Sequence, residues 1–279
     1  MTFSVSAALG WAEKKLAFID TARLDAELLL AYVLTQSRSF VLAYPEYILS
    51  AAQRTQYQAM IEQRFEQMPL AYLLGEKEFW SLCFQVTPEV LIPRPETELL
   101  IELLLEDYPN QPRLTAIDLG TGSGAIAVAL AYERPDWHIF ASDYSPAALS
   151  IAQKNAKRLL KSNTITFLCS DWFNDFPNIG AEIIVSNPPY LAENDPHLID
   201  SEISHEPQSA LVAADEGLAA YKKIIAQAQT YLVSGGCIYL EHGAQQAGKI
   251  AEILHQAGFL EIKNFRDFAG LPRVTRAKK

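Results

Sequence analysis

Apolar positions change their period twice along the chain. From Thr21 to Leu34, Leu24, Leu28 and Ala31 or Tyr32 recur at helical spacing, with Arg23, Asp25 and Glu27 elsewhere on the helix. This predicts a helix with the leucine face turned inward. Ser50-Ala-Ala-Gln53 has the spacing of a capping box, in which two side chains satisfy each other's free backbone N–H groups. Behind it Tyr57, Met60, Ile61, Phe65 and Met68 continue an apolar stripe, read as core. Residues 1–75 are therefore expected to form a helical bundle. After Pro69 the period shortens. Phe79, Leu82, Phe84 and Val86 read as extended chain, folded into a hairpin. Prolines at 88, 93 and 95 stop helices and stiffen the segment, which makes 76–95 a hairpin linker.

From about Leu114 strand and helix alternate. Short apolar runs at 114–118, 138–142, 165–169, 181–186 and 236–241 are bounded by turn residues. Helical stretches lie between most of them, such as Pro146 to Leu160, with Ser145 as N-cap and Pro146 at the first helical position. Such alternation predicts an α/β domain over 96–279, a parallel sheet with helices on both faces. The short basic end, Arg276 to Lys279, reads as frayed.

Composition adds exclusions. The chain has 279 residues, 49% of them hydrophobic and 20% charged, with a mean hydropathy of +0.03. No apolar run approaches the roughly 18–20 residues that span a bilayer, and Met1 to Gly10 lacks the pattern of a secretory signal. A cytoplasmic protein without membrane contact is expected. Cys83, Cys169 and Cys237 are odd in number and never form a C-x-x-C pair. They read as three buried small residues in a reducing compartment, with no disulfide framework and no metal site.

Charge narrows the partners. Lys and Arg number 23 against 33 Asp and Glu, a net charge of −10. Such a surface repels phosphate backbones and disfavours a general nucleic-acid or anionic-membrane binder. Residues 191–216 hold seven acids (Glu193, Asp195, Asp200, Glu202, Glu206, Asp215 and Glu216) and no Lys or Arg. Such a run ordinarily means a solvated loop. Here it follows the most informative motif of the chain, so an acidic rim for a basic partner is the other reading.

Ile117-Asp-Leu-Gly-Thr-Gly-Ser-Gly-Ala125 follows a strand and opens a helix. Its glycines allow a sharp turn and a close backbone approach to a ligand. Gly120, Gly122 and Ala125 also satisfy the dinucleotide fingerprint, so the loop alone leaves the cofactor open. Three acids decide between the candidates. Asp118 would face the pyrophosphate of a dinucleotide but suits the cationic end of S-adenosylmethionine. Asp143 ends the next strand, placed for a ribose hydroxyl pair. Asp171 and Trp172 offer a carboxylate and an indole to an adenine.

Ile183-Ile-Val-Ser-Asn187-Pro188-Pro189-Tyr190 is a buried strand running into a rigid turn. An amide or exocyclic nitrogen is a poor nucleophile because its lone pair is delocalised. The Asn187 oxygen and a backbone carbonyl of the turn can each accept an N–H bond, aim the lone pair and hold developing positive charge. Tyr190 adds a flat face for the planar group. Asn187, Pro188 and Tyr190 are the candidate catalytic residues, and Asn187 to Tyr190 the candidate acceptor site.

The tetrapeptide resembles the motif of methyltransferases that modify adenine N6 or glutamine N5. Further segments narrow this: Ala71-Tyr-Leu-Leu-Gly75 with Glu78-Phe79, Leu91-Ile-Pro-Arg-Pro-Glu-Thr-Glu98, Glu206-Pro207, Leu240-Glu-His-Gly243 and Arg266-Asp-Phe-Ala-Gly-Leu-Pro-Arg-Val274. Together they are similar to the release factor glutamine methyltransferases, the PrmC/HemK family. The resemblance implies a class I, Rossmann-like methyltransferase domain behind a small partner-binding helical domain. It implies N5-methylation of the glutamine in the Gly-Gly-Gln loop of peptide-chain release factors, with S-adenosyl-L-homocysteine as product. Gly120, Thr121, Gly122, Ser123, Gly124, Asp143, Trp172 and Asn187 would then contact the cofactor. Glu96 is expected to cap the helix at 97–107, or with Arg94 to gate the cofactor.

Two rivals share parts of this pattern. An adenine-N6 nucleic-acid methyltransferase would use the same turn but predicts a basic groove. An inactive cofactor-binding scaffold would not retain every chemical position. A nicotinamide-dependent oxidoreductase leaves Asn187-Pro-Pro-Tyr190 unexplained. A monomer is expected.

Overall fold

The computed structural model describes residues 3–109, 111–161, 165–199 and 202–279. The chain divides into two compact units, Met1–Gly75 with Asp200–His205, and Glu76–Ile199 with Glu206–Lys279.

Serine side chains open most helices of the first unit. Ser4 caps α1 (Val5–Lys15), α2 (Ala22–Leu34) follows, Ser37 caps α3 (Arg38–Ala43), and Ser50 caps α4 (Ala51–Phe65). The capping box forms: Gln53 N donates to Ser50 Oγ at 3.3 Å and Ser50 N to Gln53 Oε1 at 2.9 Å. A fifth helix, α5 (Leu70–Leu74), ends at Gly75 in the left-handed conformation. Tyr57 and Ile61 are fully buried, but Phe65 is exposed and the stripe ends at Arg64.

Helix α2 turns a different face inward from the one its leucines predict. Ala22, Asp25, Ala26, Leu29, Leu30 and Val33 are buried, whereas Leu24 and Tyr32 are exposed. Two acids on the helix are acceptable inside because each is paired; a buried charge without a partner would cost several kcal/mol. Arg64 Nε donates to Asp25 Oδ2 at 2.7 Å. Glu27 takes Arg23 at 2.5 Å and Arg38 at 2.8 Å. The Asp25 partner is 39 residues away, beyond any local window.

The second unit begins with a hairpin, β1 (Glu76–Phe79) and β2 (Leu82–Gln85), turned by Trp80 and Ser81 at φ +52° and +57°. Positive φ at both central residues matches the right-handed twist of the strands. Phe79, Leu82 and Phe84 belong to the main core of this unit. Then follow α6 (Glu98–Asp107), β3 (Thr115–Leu119), α7 (Ala125–Glu133), β4 (His138–Asp143), α8 (Pro146–Leu159), β5 (Ile165–Cys169) and β6 (Ala181–Ser186). Two single turns, α9 (Gln208–Leu211) and α10 (Ala214–Gly217), lead to α11 (Ala219–Tyr231), β7 (Leu232–Glu241), α12 (Ala247–Gln256), β8 (Leu260–Arg266) and β9 (Pro272–Lys278).

The sheet order is β5-β4-β3-β6-β7-β9-β8. The first five strands are parallel, while β9 runs antiparallel to both β7 and β8. Ala116, Ile183 and Val185 face the cluster that holds α6 and α7. Ile117, Leu119, Ile184 and Ile238 face the cluster that holds α11 and α12. With both faces covered, these strands read as continuous apolar runs.

Two sequence expectations are corrected here. Arg276–Lys279 is not frayed: β9 lies between β7 and β8, with Thr275 and Ala277 fully buried. Arg276 Nη1 donates to both carboxylate oxygens of Asp107 at 2.8 and 2.7 Å, and Lys279 N to Gly236 O at 2.9 Å. Nor are all three cysteines buried, since Cys83 and Cys169 are exposed. Cys83 alternates outward between Leu82 and Phe84, and Cys169 ends the edge strand β5. Among the described residues no His, Cys, Asp and Glu group is arranged to hold a metal, and no helix is long and apolar enough to cross a membrane.

Candidate active site

Strand order creates the site. The chain leaves β3 toward β4 on one side, while β6 pairs with β3 on the other, in register Asp118 opposite Val185. The carboxyl ends of β3 and β6 therefore border a switch point, where an open α/β sheet leaves a crevice. The glycine loop rises from β3 and the Asn-Pro-Pro-Tyr turn from β6.

The glycine loop is held by its neighbours. Gly120, Gly122 and Gly124 have φ of +71°, +56° and +83°. A Cβ at Gly124 would lie 3.1 Å from that of Ala152, so glycine there also lets α7 and α8 approach. Thr121 N donates to Ser142 O at 2.8 Å and Gly122 N to Asp143 Oδ2 at 2.9 Å. Asp143 Oδ1 accepts Ser145 N at 2.9 Å. Burial raises the Asp143 carboxyl above its ordinary value despite these two backbone bonds.

Asp118 lies fully buried under the loop. Thr121 Oγ1 donates to its Oδ2 at 2.6 Å, and its Oδ1 has no partner. Burial pushes this carboxyl up to about 7, opposed by the Thr121 bond. An orphaned buried acceptor beneath a glycine cradle fits a cationic ligand group, which would supply the missing partner.

A solvent-open cleft lies over the loop. Its floor includes Gly120, Gly122 and Asp143, and one wall holds Asp171 and Trp172. Asn187 and Pro189 border it, as do Glu89, Val90, Leu91, Pro207, Ser209 and Ala210. Trp172, at φ +54°, places its ring so that a Cβ at Gly120 would lie 3.5 Å from it. Of the expected site residues, Gly120, Gly122, Asp143, Asp171, Trp172, Asn187 and Pro189 thus meet in one cleft. Asp118, Thr121 and Ser123 are buried beneath the loop and shape it.

Tyr190 stands apart from that cleft. It packs against the core of α11 and β7, its carbonyl accepting Gln246 Nε2 at 2.9 Å. Burial pushes its hydroxyl up to about 12, so it stays protonated. Asn187 Nδ2 donates to Thr97 Oγ1 at 3.2 Å, which leaves Oδ1 as the side-chain atom free to accept from a ligand.

Sequence reasoning missed Thr97 and Glu241, although both lie in motifs that carried the resemblance. Glu241 is buried at the end of β7 with its Oε2 unpartnered, and burial pushes it up to about 7. The acidic run also differs from a solvated loop. Glu206 is buried, accepts Ile92 N at 3.0 Å and pairs with Arg94. Asp215 pairs with Lys222 and Glu216 with Lys249, and Glu202 pairs with Arg64 within the first unit. Asp200 lies outside the described residues. Glu96 does not cap α6, whose N-cap position is Thr97.

Residues 7–75 match the model of the PrmC N-terminal domain and residues 96–261 that of the methyltransferase small domain. The release factor glutamine methyltransferase of Coxiella burnetii is 48% identical over 259 residues, 93% of this chain and 92% of that one. That of Escherichia coli is 46% identical over 256 residues, 92% of each chain. The chain belongs to the release factor glutamine methyltransferase family. The resemblance read from its motifs is borne out, and so is the Rossmann-like methyltransferase fold. A Thermus thermophilus 16S rRNA N2 G1207 methyltransferase, solved with AdoMet and guanosine, shares that fold. It matches with a TM-score of 0.54 at 22% identity, over 73% of this chain and 49% of that one. In family terms, Asn187 and Pro189 of the Asn-Pro-Pro-Tyr turn and the glycine loop of this chain open on one cleft.

Proposed function

We propose that the protein transfers the methyl group of S-adenosyl-L-methionine to the side-chain amide nitrogen, N5, of the glutamine in the Gly-Gly-Gln loop of peptide-chain release factors. One observation carries the reading: Asn187, with its Nδ2 engaged by Thr97, presents an acceptor to the cleft that holds the glycine loop and Trp172. That arrangement suits an incoming NH2 group. Family membership supports the release factor as the protein that brings it.

The residues divide the work. Asp118 would face the ammonium through its free oxygen, Asp143 the ribose, and Asp171 with Trp172 the adenine. When bound, the cofactor supplies an electrophilic methyl on a sulfonium and leaves as the neutral thioether S-adenosyl-L-homocysteine. Asn187 Oδ1 and a carbonyl of the turn accept the two amide N–H bonds, which points the nitrogen lone pair at the methyl carbon. They also stabilise the positive charge that builds on nitrogen as the N–C bond forms. One N–H proton then leaves to water. Pro188 and Pro189 hold the turn rigid, and Tyr190 braces it from the core. A single cytoplasmic chain contains every residue this scheme uses.

The test is methyl transfer from labelled cofactor to release factor, to a Gly-Gly-Gln peptide and to DNA. Label in release factor, lost when its glutamine is replaced, is expected. Label in DNA alone would overturn the assignment in favour of an adenine methyltransferase.

A further inference from the structure

The acceptor turn is fastened at both ends. Where it begins, Ser186 Oγ donates to Leu119 O at 2.7 Å, which ties the end of β6 to the end of β3. Where it ends, Gln246 Nε2 donates to Tyr190 O at 2.9 Å, across 56 residues. The next residue is paired on both sides, Leu191 N donating to Leu211 O and Ala213 N to Leu191 O, each at 2.9 Å. Between the fastenings stand Pro188 and Pro189, whose rings fix φ. A displacement at Tyr190 therefore passes along a stiff link to Asn187.

Two features beside Tyr190 are not what folding alone would choose. Gln246 holds the N-cap position of α12, where a short side chain such as Ser or Asp accepts a bond from the first turn. Its side chain makes no such bond and reaches back instead. Gly243 N donates to Gln246 Oε1 at 3.0 Å. A backbone N–H can only donate, so the carboxamide has one orientation and its NH2 must face Tyr190 O. The second feature is the run Asp215, Glu216 and Gly217, at φ +59°, +55° and +81°. The left-handed conformation strains the two acids, and such strain persists only where the surroundings hold it. Here Lys222 pairs with Asp215 at 2.5 Å and Lys249 with Glu216 at 2.6 Å. The run achieves a close approach: a Cβ at Gly217 would lie 2.1 Å from Tyr190 O and 2.8 Å from Gln246 Nε2. The Tyr190 carbonyl is thus seated between a bare Cα and an oriented amide.

We propose that Gln246 and Gly217 are positioning residues that seat the Tyr190 carbonyl and, through the two prolines, hold Asn187 in place for methyl transfer. Neither residue borders the cleft, so both act through the turn and not on the ligands. This rests on the function proposed above for the same turn.

Gln246→Glu tests the donor alone. It keeps an oxygen for Gly243 N and sets a carboxylate oxygen against Tyr190 O. At saturating cofactor and release factor, well below the Tm of each variant, kcat at pH 8 is expected to fall about 10- to 100-fold. Cofactor Kd should stay near that of wild type. As pH falls toward 5.5 the new carboxyl gains a proton and donates it to Tyr190 O, so the deficit relative to wild type at the same pH should shrink. The ionisable groups around the position are Asp215 with Lys222, Glu216 with Lys249, Tyr190, and His242, whose Nδ1 lies 2.9 Å from Gly243 O. Wild type carries them all, so the ratio cancels their titration. Gln246→Met, with no donor at any pH, should show the deficit without the recovery, and Gly217→Ala should lower kcat by displacing the carbonyl. Wild-type kcat in Gln246→Glu at pH 8, or a deficit that does not change with pH, would overturn the proposal. If wild type labels DNA and not release factor, the functional reading fails, and the same variants measured on DNA still decide the brace by the same outcomes. With neither acceptor labelled, side-chain amide NMR decides it: slow exchange of the Gln246 Nε2 protons supports the brace, and exchange at the rate of free glutamine rejects it.

Discussion

Asn155 pairs with Gln85 in both directions: Gln85 N donates to Asn155 Oδ1 at 2.7 Å, and Asn155 Nδ2 donates to Gln85 O at 2.9 Å. The same Nδ2 donates to Ser123 O at 2.9 Å. One fully buried carboxamide on α8 thus continues the ladder of β2 and pins the underside of the glycine loop.

Replacing Asn155 by Leu should be costly on both counts. It leaves one N–H and two carbonyls buried without partners, at roughly 1–3 kcal/mol for each group that water cannot reach. A loss of about 2–4 kcal/mol in unfolding free energy is expected, read by urea denaturation. Cofactor affinity should fall beyond what the stability loss explains, because Ser123 is no longer held. Calorimetric titration well below the melting temperature checks this, and wild-type affinity would mean the loop holds its shape unaided.

The pH behaviour of Asp118 follows from its surroundings. Burial pushes its carboxyl up to about 7 in the folded protein, above the ordinary value of 3.8. A raised carboxyl contributes stability that is fully present below the unfolded value and is lost as pH rises through the folded one. The cofactor-free protein should therefore lose stability between about pH 4 and 7, and Asp118→Asn should raise its Tm at pH 8 more than at pH 5. Cofactor binding runs the other way, since the ammonium needs the ionised form. Affinity should rise with pH up to about 7 and then level off, and Asp118→Asn should flatten that rise. Equal affinity at pH 5.5 and 8 in the wild type would place the ammonium elsewhere.

What could be read in the sequence was local. The Ser50–Gln53 box, the Ser145 cap and the glycine loop each span a few residues, so spacing alone revealed them. The partner of Asp25 is 39 residues away, that of Asn155 is 70 and that of Asn187 is 90. No period or motif encodes such pairs. For that reason the buried face of α2 differs from the one its leucines predict, and nothing in its motif marks Thr97 as the partner of Asn187. The β9 strand is hidden for the same cause: its partners are β7 and β8, and its charged end reads as a loose tail although Asp107 holds Arg276. The acidic run shows the reverse error, because a one-dimensional count of acids cannot see Arg94, Lys222 and Lys249 pairing with three of them.

Gly124 combines two demands that substitution can separate. Alanine there would have to adopt φ near +83° and place its Cβ 3.1 Å from Ala152 Cβ. The left-handed conformation costs roughly 1–2 kcal/mol, and the contact adds to it because packed interiors yield little. Gly124→Ala should destabilise accordingly, and Gly124→Ala with Ala152→Gly should regain only the share of the clash due to the Ala152 methyl, since the Ala152 Cα also lies 3.2 Å from the added Cβ. A double-mutant cycle by chemical denaturation measures the split. Complete recovery in the double variant would show that φ imposes no cost here.

Asn187 is the most direct test of the chemistry. Alanine removes the side-chain acceptor that would order the amide and share its developing charge; losing one such pre-set group costs about 10²–10³ in kcat. Cofactor affinity should change little, because the glycine loop, Asp143 and Trp172 remain in place. Asn187→Asp is the sharper variant. It keeps an acceptor oxygen but has no N–H for Thr97. If an acceptor atom alone sufficed, aspartate would rescue the alanine defect. The geometry predicts that it does not, because the N–H that anchors the side chain to Thr97 is gone and an added charge must be desolvated in its place. Single-turnover methylation of release factor by the two variants separates these outcomes, and wild-type rates in either one would remove Asn187 from catalysis.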